Sequence, residues 1–467
     1  VTAVSDPAPR VQAFNRGLLP PLVLGAVLNP INSTMVAVAL VPIGIAFGAS
    51  PADTAWLVSG LYLATAIGQP VVGRLVDTYG PRTLFLVGTT LVGLAGVLGL
   101  LAPQLWVLVV ARVLLGFGTC AGYPAAMYLI RSEAARTGMT SPAGILAVLT
   151  VSTQTISIIG PTLGGLLTGA GGWRAVFAVN VPLAVAAFSL GAWKLPRTPR
   201  VDAAPRLDHL GVVLFAGGLL GALLFLMTPS QWWWVPVAVV LGGGFAWWEL
   251  RISDPFFDLR LLAGNGPLLA TYARTLLAFV LTYAYLYGYT QWLQEGRGLP
   301  PSVAGLMLLP MSITSLAVSA LTGRRAAVRG RLIVGSLLQV AVCVGLLTFT
   351  DGTPLWMIVG LSVLLGIPNG LLNLANQNAL YFQADPDRIG ASSGLFRTFG
   401  YLGAIVASLG NGTFLADRAD TTGLHHLATF LLVVAGVFVV VTLVDRSLRR
   451  VVPAGGDARL VGGATEV

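Results

Sequence analysis

Arg112 stands inside the apolar run Leu105–Ile130, roughly 10 Å from the nearer end at 1.5 Å per residue. A guanidinium keeps its proton, so this placement is costly and points to a functional group. Arg274 and Arg397 lie about two turns inside later apolar runs, where ligand binding and snorkelling to the interface are even alternatives. Uncharged polar residues at mid-depth are Asn29, Asn32, Gln154, Gln291, Asn369, Asn373 and Asn376, which can line a cavity. None of the eighteen acidic residues falls in the middle of a run; Glu133 and Glu295 lie near run ends, the others in loops or tails. A buried carboxylate is the ordinary proton carrier and the ordinary partner of a cationic ligand. Its absence favours neutral, amphipathic or anionic ligands. His209, His425 and His426 sit at loop edges, Cys120 and Cys343 in separate runs, and no Gly-x4-Gly-Lys-Ser/Thr loop is present. No cofactor, metal site or catalytic constellation is expected, and the chain does not read as an enzyme.

The elements that position these side chains are membrane-spanning helices. The 467 residues are 55% hydrophobic and 10% charged, less than half the charge of an ordinary soluble chain at about 25%. Apolar runs of about 20 residues number about fourteen, from Leu18–Phe47 to Leu424–Val444. An even count puts both termini on one side. Loops on that side hold fifteen basic residues, and opposite loops only Arg174, Arg297 and Arg418, so both termini are expected in the cytoplasm. The formal charge of +9 therefore reports topology and not nucleic-acid binding. The first sixteen residues lack a cleavable signal pattern, so the first helix is expected to stay. Asn29-Pro30 is expected to break it near its centre, freeing carbonyls for a ligand or for neighbouring helices. Tyr283 and Tyr287 share one helical face, Tyr285 and Tyr289 a neighbouring one. So near a run end, they read as an interfacial belt.

Two stretches are more specific. In Gly160–Pro182, Gly160, Gly164, Gly165 and Gly169 give one helix a face without side chains, and Pro161 is expected to bend it. The string continues through Trp173, Arg174, Phe177, Asn180 and Pro182. The loop near residue 77 reads Gly73-Arg74-Leu75-Val76-Asp77-Thr78-Tyr79-Gly80-Pro81-Arg82, and Gly323 to Gly330 repeats its glycine spacing without the Asp. Together these resemble the major facilitator superfamily, in particular its fourteen-helix drug–proton antiporter branch. The glycines and Pro161 match that branch's antiporter motif. Gly73, Asp77, Gly80 and Arg82 match its signature loop, and Arg112 with Gly116 its Arg-x-x-x-Gly. Two positions depart: Asn32 stands where the branch carries Asp on the first helix, and Arg397 lies one turn before Gly400, where it carries Arg.

The resemblance implies an all-α polytopic fold with two six-helix halves and an inserted helix pair. Its expected divisions are a tail at 1–17, six helices at 18–193, the inserted pair with its loops at 194–262, six helices at 263–445 and a tail at 446–467. It implies export of small organic molecules across the cell membrane by a monomeric carrier in exchange for protons, with Arg112 as coupling candidate and lipids as surroundings. An uncoupled facilitator or lipid-like flippase is the alternative within transport, and a membrane sensor without net transport the alternative outside it. Asp77 is expected to latch one conformation by pairing with Arg82 or a nearby arginine. The variant Asp77→Asn is then expected to slow transport at normal expression, read as dye efflux per unit of inserted protein; unchanged efflux would remove the latch.

Overall fold

The computed structural model describes residues 14–137, 143–197, 208–228, 230–252, 255, 259–322, 328–384, 389–415 and 419–449. Among them the chain is helical throughout. The helices are α1 (Leu19–Phe47), α2 (Pro51–Tyr79), α3 (Pro81–Leu100), α4 (Leu105–Thr119), α5 (Gly122–Thr137), α6 (Ala143–Gly171), α7 (Arg174–Ala178) and α8 (Asn180–Lys194). There follow α9 (His209–Met227), α10 (Trp234–Glu249), α11 (Leu259–Gly264), α12 (Gly266–Ala284), a π-helical turn at Tyr285–Tyr289 and α13 (Thr290–Glu295). The last are α14 (Pro301–Met307), α15 (Leu309–Thr322), α16 (Val328–Leu347), α17 (Leu355–Gln383), α18 (Ile389–Phe414) and α19 (Thr421–Val444). Eleven helices or continuous helix runs among the described residues are long and apolar enough to cross a membrane.

Helix starts follow local chemistry. Pro51, Pro81 and Pro301 occupy first positions, where a missing N–H costs nothing. Ser50 and Asp53 form a reciprocal capping box, and the Asp208, Asn265 and Asp420 side chains each accept a first-turn N–H. Gly80 joins α2 to α3 at φ 83°, a backbone angle that only glycine adopts without strain.

Helices α1–α8 pack among themselves, as do α12–α19, while α9 and α10 pair with each other and α9 reaches both α2 and α18. Asn15 N bonds Glu133 at the end where α1 begins, here the lower end; Phe47 meets Trp173 at the upper end.

One expected break is absent. Helix α1 runs unbroken through Asn29-Pro30, and at that level Asn32 donates to Leu28 O and Ser33 and Thr34 donate to Pro30 O within the same helix. The run expected as a single span from Leu105 stays one span, Leu105–Thr137, with a two-residue turn at Cys120–Ala121 between α4 and α5. There Gly122 backs so closely on Gly25 that an added Cβ would land on the Gly25 carbonyl. Helix α6 is likewise continuous through Pro161.

The glycine face of α6 is used as its composition suggests. A Cβ at Gly160 would land on the Thr34 hydroxyl and one at Gly164 on the Met35 carbonyl, both of α1. At Gly73 nothing lies within 4 Å. Gly164→Ala is expected to cost about 1–3 kcal/mol through forced separation of the two helices. Gly73→Ala is expected to be nearly neutral. The check is the melting midpoint of each purified variant in detergent; equal midpoints would contradict the packing.

Candidate functional site

Arg112 is 1% exposed and lies among α1, α2 and α4. Its Nε donates to Leu57 O and its Nη1 to Asn32 O, each at 2.8 Å, while its Nη2 has no partner. The charge is therefore held by peptide dipoles, with no carboxylate beside it among the described residues. Asn32 completes this layer from α1. Its Nδ2 donates to Leu28 O at 2.9 Å and to Asn180 Oδ1 at 2.6 Å, and Asn180 of α8 donates onward to Val176 O and Phe177 O. Asn180 was expected only as part of a motif; its spacing after Trp173 gave no sign of a partner 148 positions away.

The next layer joins the N-terminal set of helices to the C-terminal set. Tyr287 donates to Ser33 O at 2.7 Å, one carbonyl beyond the acceptor of Arg112, and its hydroxyl meets that of Tyr62 at 3.1 Å. Tyr62 packs edge-on to Tyr283 at 5.3 Å and stacks on Tyr401 at 5.9 Å. The tyrosines expected as an interfacial belt are thus buried inside the bundle, with Tyr285, Tyr287 and Tyr289 all at 2% exposure or less; Tyr287 lies in the seam, while Tyr285 and Tyr289 face Ser362 and Ile358 O of α17 in their own set. A belt and a seam have the same helical period, and only the packing partner separates them.

Higher up, Gln294 Nε2 donates to Val38 O at 3.0 Å. Pro42, four residues on, has no N–H to offer that carbonyl. Thr162 of α6 donates to Gly305 O at 3.1 Å, where α14 gives way to α15, and Ser408 of α18 donates to Ala55 O at 2.9 Å. A Cβ at Gly165 would stand 2.7 Å from Pro301 O, and one at Gly305 2.7 Å from Pro161 O. These cross-links all lie at mid-depth or above, and none is an ion pair. The π turn between α12 and α13 widens the helix by one residue and splits the bond between Ala284 O and Gly288 N. The Asn411 amide of α18 fills the gap, its nitrogen toward Ala284 O at 3.3 Å and its oxygen toward Gly288 N at 3.1 Å.

The other candidates scatter around this seam. Asn29 donates to Thr119, Asn369 accepts from Thr282, and exposed Asn373 accepts weakly from Gln377. Gln154 is half-buried, while Gln291 and Asn376 are buried with one amide oxygen each lacking a donor. Arg397 of α18 lays its guanidinium over the Tyr123 ring of α5, 3.6 Å from the centroid. Arg274 is not a cavity residue. It is fully buried and pairs with Asp445, just past α19, at 2.6 Å, and its Nη2 donates to Thr271, which donates to Gln383. Arg82 donates to Ala192 O at the end of α8, 2.7 Å away; the Asp77 side chain lies outside the described residues. Two acids placed in loops by sequence are buried instead. Asp208 accepts from Gly211 N and Trp248 Nε1, and a Cβ on Gly211 would sit between it and Glu249, the last residue of α10.

The family model described as Major Facilitator Superfamily matches residues 22–408. An MFS-type transporter of Bacillus subtilis (strain 168), YwoD, is 36% identical over 431 residues, covering 88% of this chain and 92% of that one. The tetracenomycin C resistance and export protein of Streptomyces glaucescens is 29% identical over 416 residues, covering 85% and 75%. The multidrug resistance protein Stp of Mycobacterium tuberculosis is 32% identical over 309 residues, covering 64% and 57%. The solved nucleoside transporter NupG superposes with a TM-score of 0.66 at 11% identity, covering 93% of this chain and 100% of that one, and so shares the fold.

Breaking the buried Arg274–Asp445 pair from one side leaves an uncompensated guanidinium. Asp445→Ala is expected to cost about 3–5 kcal/mol. Adding Arg274→Met to it is expected to recover part of that loss, read as melting midpoints of the single and double variants. A double variant no more stable than the single one would contradict this account.

Proposed function

The chain belongs to the Major Facilitator Superfamily and is a multi-pass membrane transporter, and from this premise we propose that it exports small organic molecules by alternating access in exchange for protons. The observation that carries the reading is the one-sided seam. Gln294, Thr162 and Ser408, with the Gly165–Gly305 approach, tie the two sets of helices together toward the upper end. Toward the lower end the Arg397–Tyr123 stack still joins the sets, while Gly73 and Gly394 have nothing within 4 Å of an added Cβ and Asn373 is exposed. A carrier whose halves rock about a central site needs this asymmetry in each of its end states. In this reading the halves are six helices each, α9 and α10 are the inserted pair, and the lower end faces the cytoplasm of a cell membrane.

The seam suits reversible closure because its cross-links are neutral hydrogen bonds, each worth about 0.5–1.5 kcal/mol net, rather than buried ion pairs. Names of relatives that export tetracenomycin C or confer multidrug resistance support a drug-like cargo. With Asn32 in place of a carboxylate, neutral, amphipathic or anionic cargo fits better than a cation. Arg112 is the proposed coupling residue, and Gly73, Asp77, Gly80 and Arg82 the proposed latch. Uncoupled facilitation is the second reading, favoured by one observation: no described carboxylate contacts Arg112.

The test is dye flux in inverted vesicles under an imposed pH gradient. Gradient-driven flux is expected in the parent and a loss of at least about tenfold in Arg112→Ala, with equal insertion checked by size-exclusion chromatography. Flux that ignores the gradient would replace antiport with facilitation.

A further inference from the structure

The central site carries two arginines and no described acid to balance them. Arg397 is half-buried, and the Tyr123 ring covers one face of its guanidinium at 3.6 Å. Stacking uses only the face of the planar group. Its five N–H donors point outward in the plane, where they match a carboxylate in a two-pronged grip. Tyr401 stands four residues on, over the same face of α18. It stacks on Tyr62 of α2, which packs against Tyr283 of α12. At the far end of this aromatic column lies Arg112, 1% exposed, its Nη2 lacking any partner.

The described ion pairs, Arg136–Glu133 and Arg274–Asp445, involve neither residue. Two positive charges in a low-dielectric interior attract a negative group strongly and exclude a cation. In this column Tyr62 is fully buried, while Tyr401 at 9% exposure and partly buried Tyr283 are the rings that a planar group can reach.

We propose that this site takes an aromatic organic anion, its carboxylate, sulfonate or phenolate on Arg397 and its rings against the Tyr401–Tyr62–Tyr283 column, with Arg112 adding the second positive charge. This narrows the cargo of the exporter reading above and rests on it for its biological sense. Tyr123 and Tyr401 come from different helix sets, so a bound anion touches both sides of the seam.

The experiment compares three probes that share one ring system: 2-naphthoate, 2-naphthamide and 2-naphthylmethylammonium. Binding to the full chain in phosphatidylcholine nanodiscs is read by quenching of tryptophan fluorescence; the zwitterionic lipid keeps anionic headgroups out of the site. Naphthoate is expected to bind at least about tenfold more tightly than the amide, and the ammonium weakest of the three. Arg397→Gln is expected to erase the advantage of naphthoate while leaving the amide within about twofold, since it removes charge and keeps size. Tyr401→Ala is expected to weaken naphthoate and amide together. The charge series on the parent needs no variant and stands even if one fails to fold. Equal or tighter binding of the ammonium, no binding of any probe, or an unchanged naphthoate advantage in Arg397→Gln would each overturn the proposal. Naphthoate bound in nanodiscs but not moved in vesicles would support the site while removing transport. Flux confined to the ammonium would overturn the site and leave transport standing.

Discussion

A carbonyl released from its helix inside a bilayer has no water to turn to, and much of this structure answers that constraint. Pro42 deprives Val38 O of its helical donor, and the replacement comes from Gln294 on the other side of the seam. At the change from α14 to α15 Gly305 O keeps a 3.3 Å bond from Leu308 N, and Thr162 adds a second donor from α6. Backbone irregularity in one set of helices thus becomes attachment for the other. An ordinary helix would present only apolar side chains there, with little to specify where two helices meet. Small residues then let the backbones approach closely enough for short side chains to reach.

Among the arginines of this interior, Arg112, Arg274 and Arg397 are each accommodated differently. Arg112 is solvated by two peptide carbonyls, Arg274 by a carboxylate with hydroxyl support, and Arg397 by an aromatic face. Only the second is neutralised within the described chain. Asn32 fits beside Arg112 because it donates twice, to Leu28 O and Asn180 Oδ1. An ionised carboxylate accepts only, so an Asp in that rotamer would face two acceptors. Asparagine at this position is therefore matched by its surroundings.

Which parts of this were legible in the sequence depends on how local their causes are. Membrane-crossing helices follow from apolar run length, and the close approach of α6 to α1 from its glycine spacing. The cost of burying Arg112 is visible from its position alone. The partners were not: Asp445 lies 171 positions from Arg274, and Asn180 lies 148 from Asn32. Period alone could not tell the tyrosine seam from a lipid-facing belt, nor show that helix α1 would run unbroken through proline at position 30. Asp208 and Glu249 looked like loop acids because their burial comes from the pairing of α9 with α10. In each case the missing fact was which helix stood opposite.

The π turn at Tyr285–Tyr289 has a consequence for phase. One residue more in a turn rotates everything after it by about 100° relative to an unbroken α-helix. Trp292, which meets Thr421, and Gln294, which meets Val38 O, point where they do because of that offset. The offset is in turn held open by one amide, that of Asn411, belonging to a different helix. A helical wheel drawn through 266–295 as a single element would assign the last six residues to the wrong faces. Where α13 points is therefore encoded partly outside its own sequence, more than a hundred positions away.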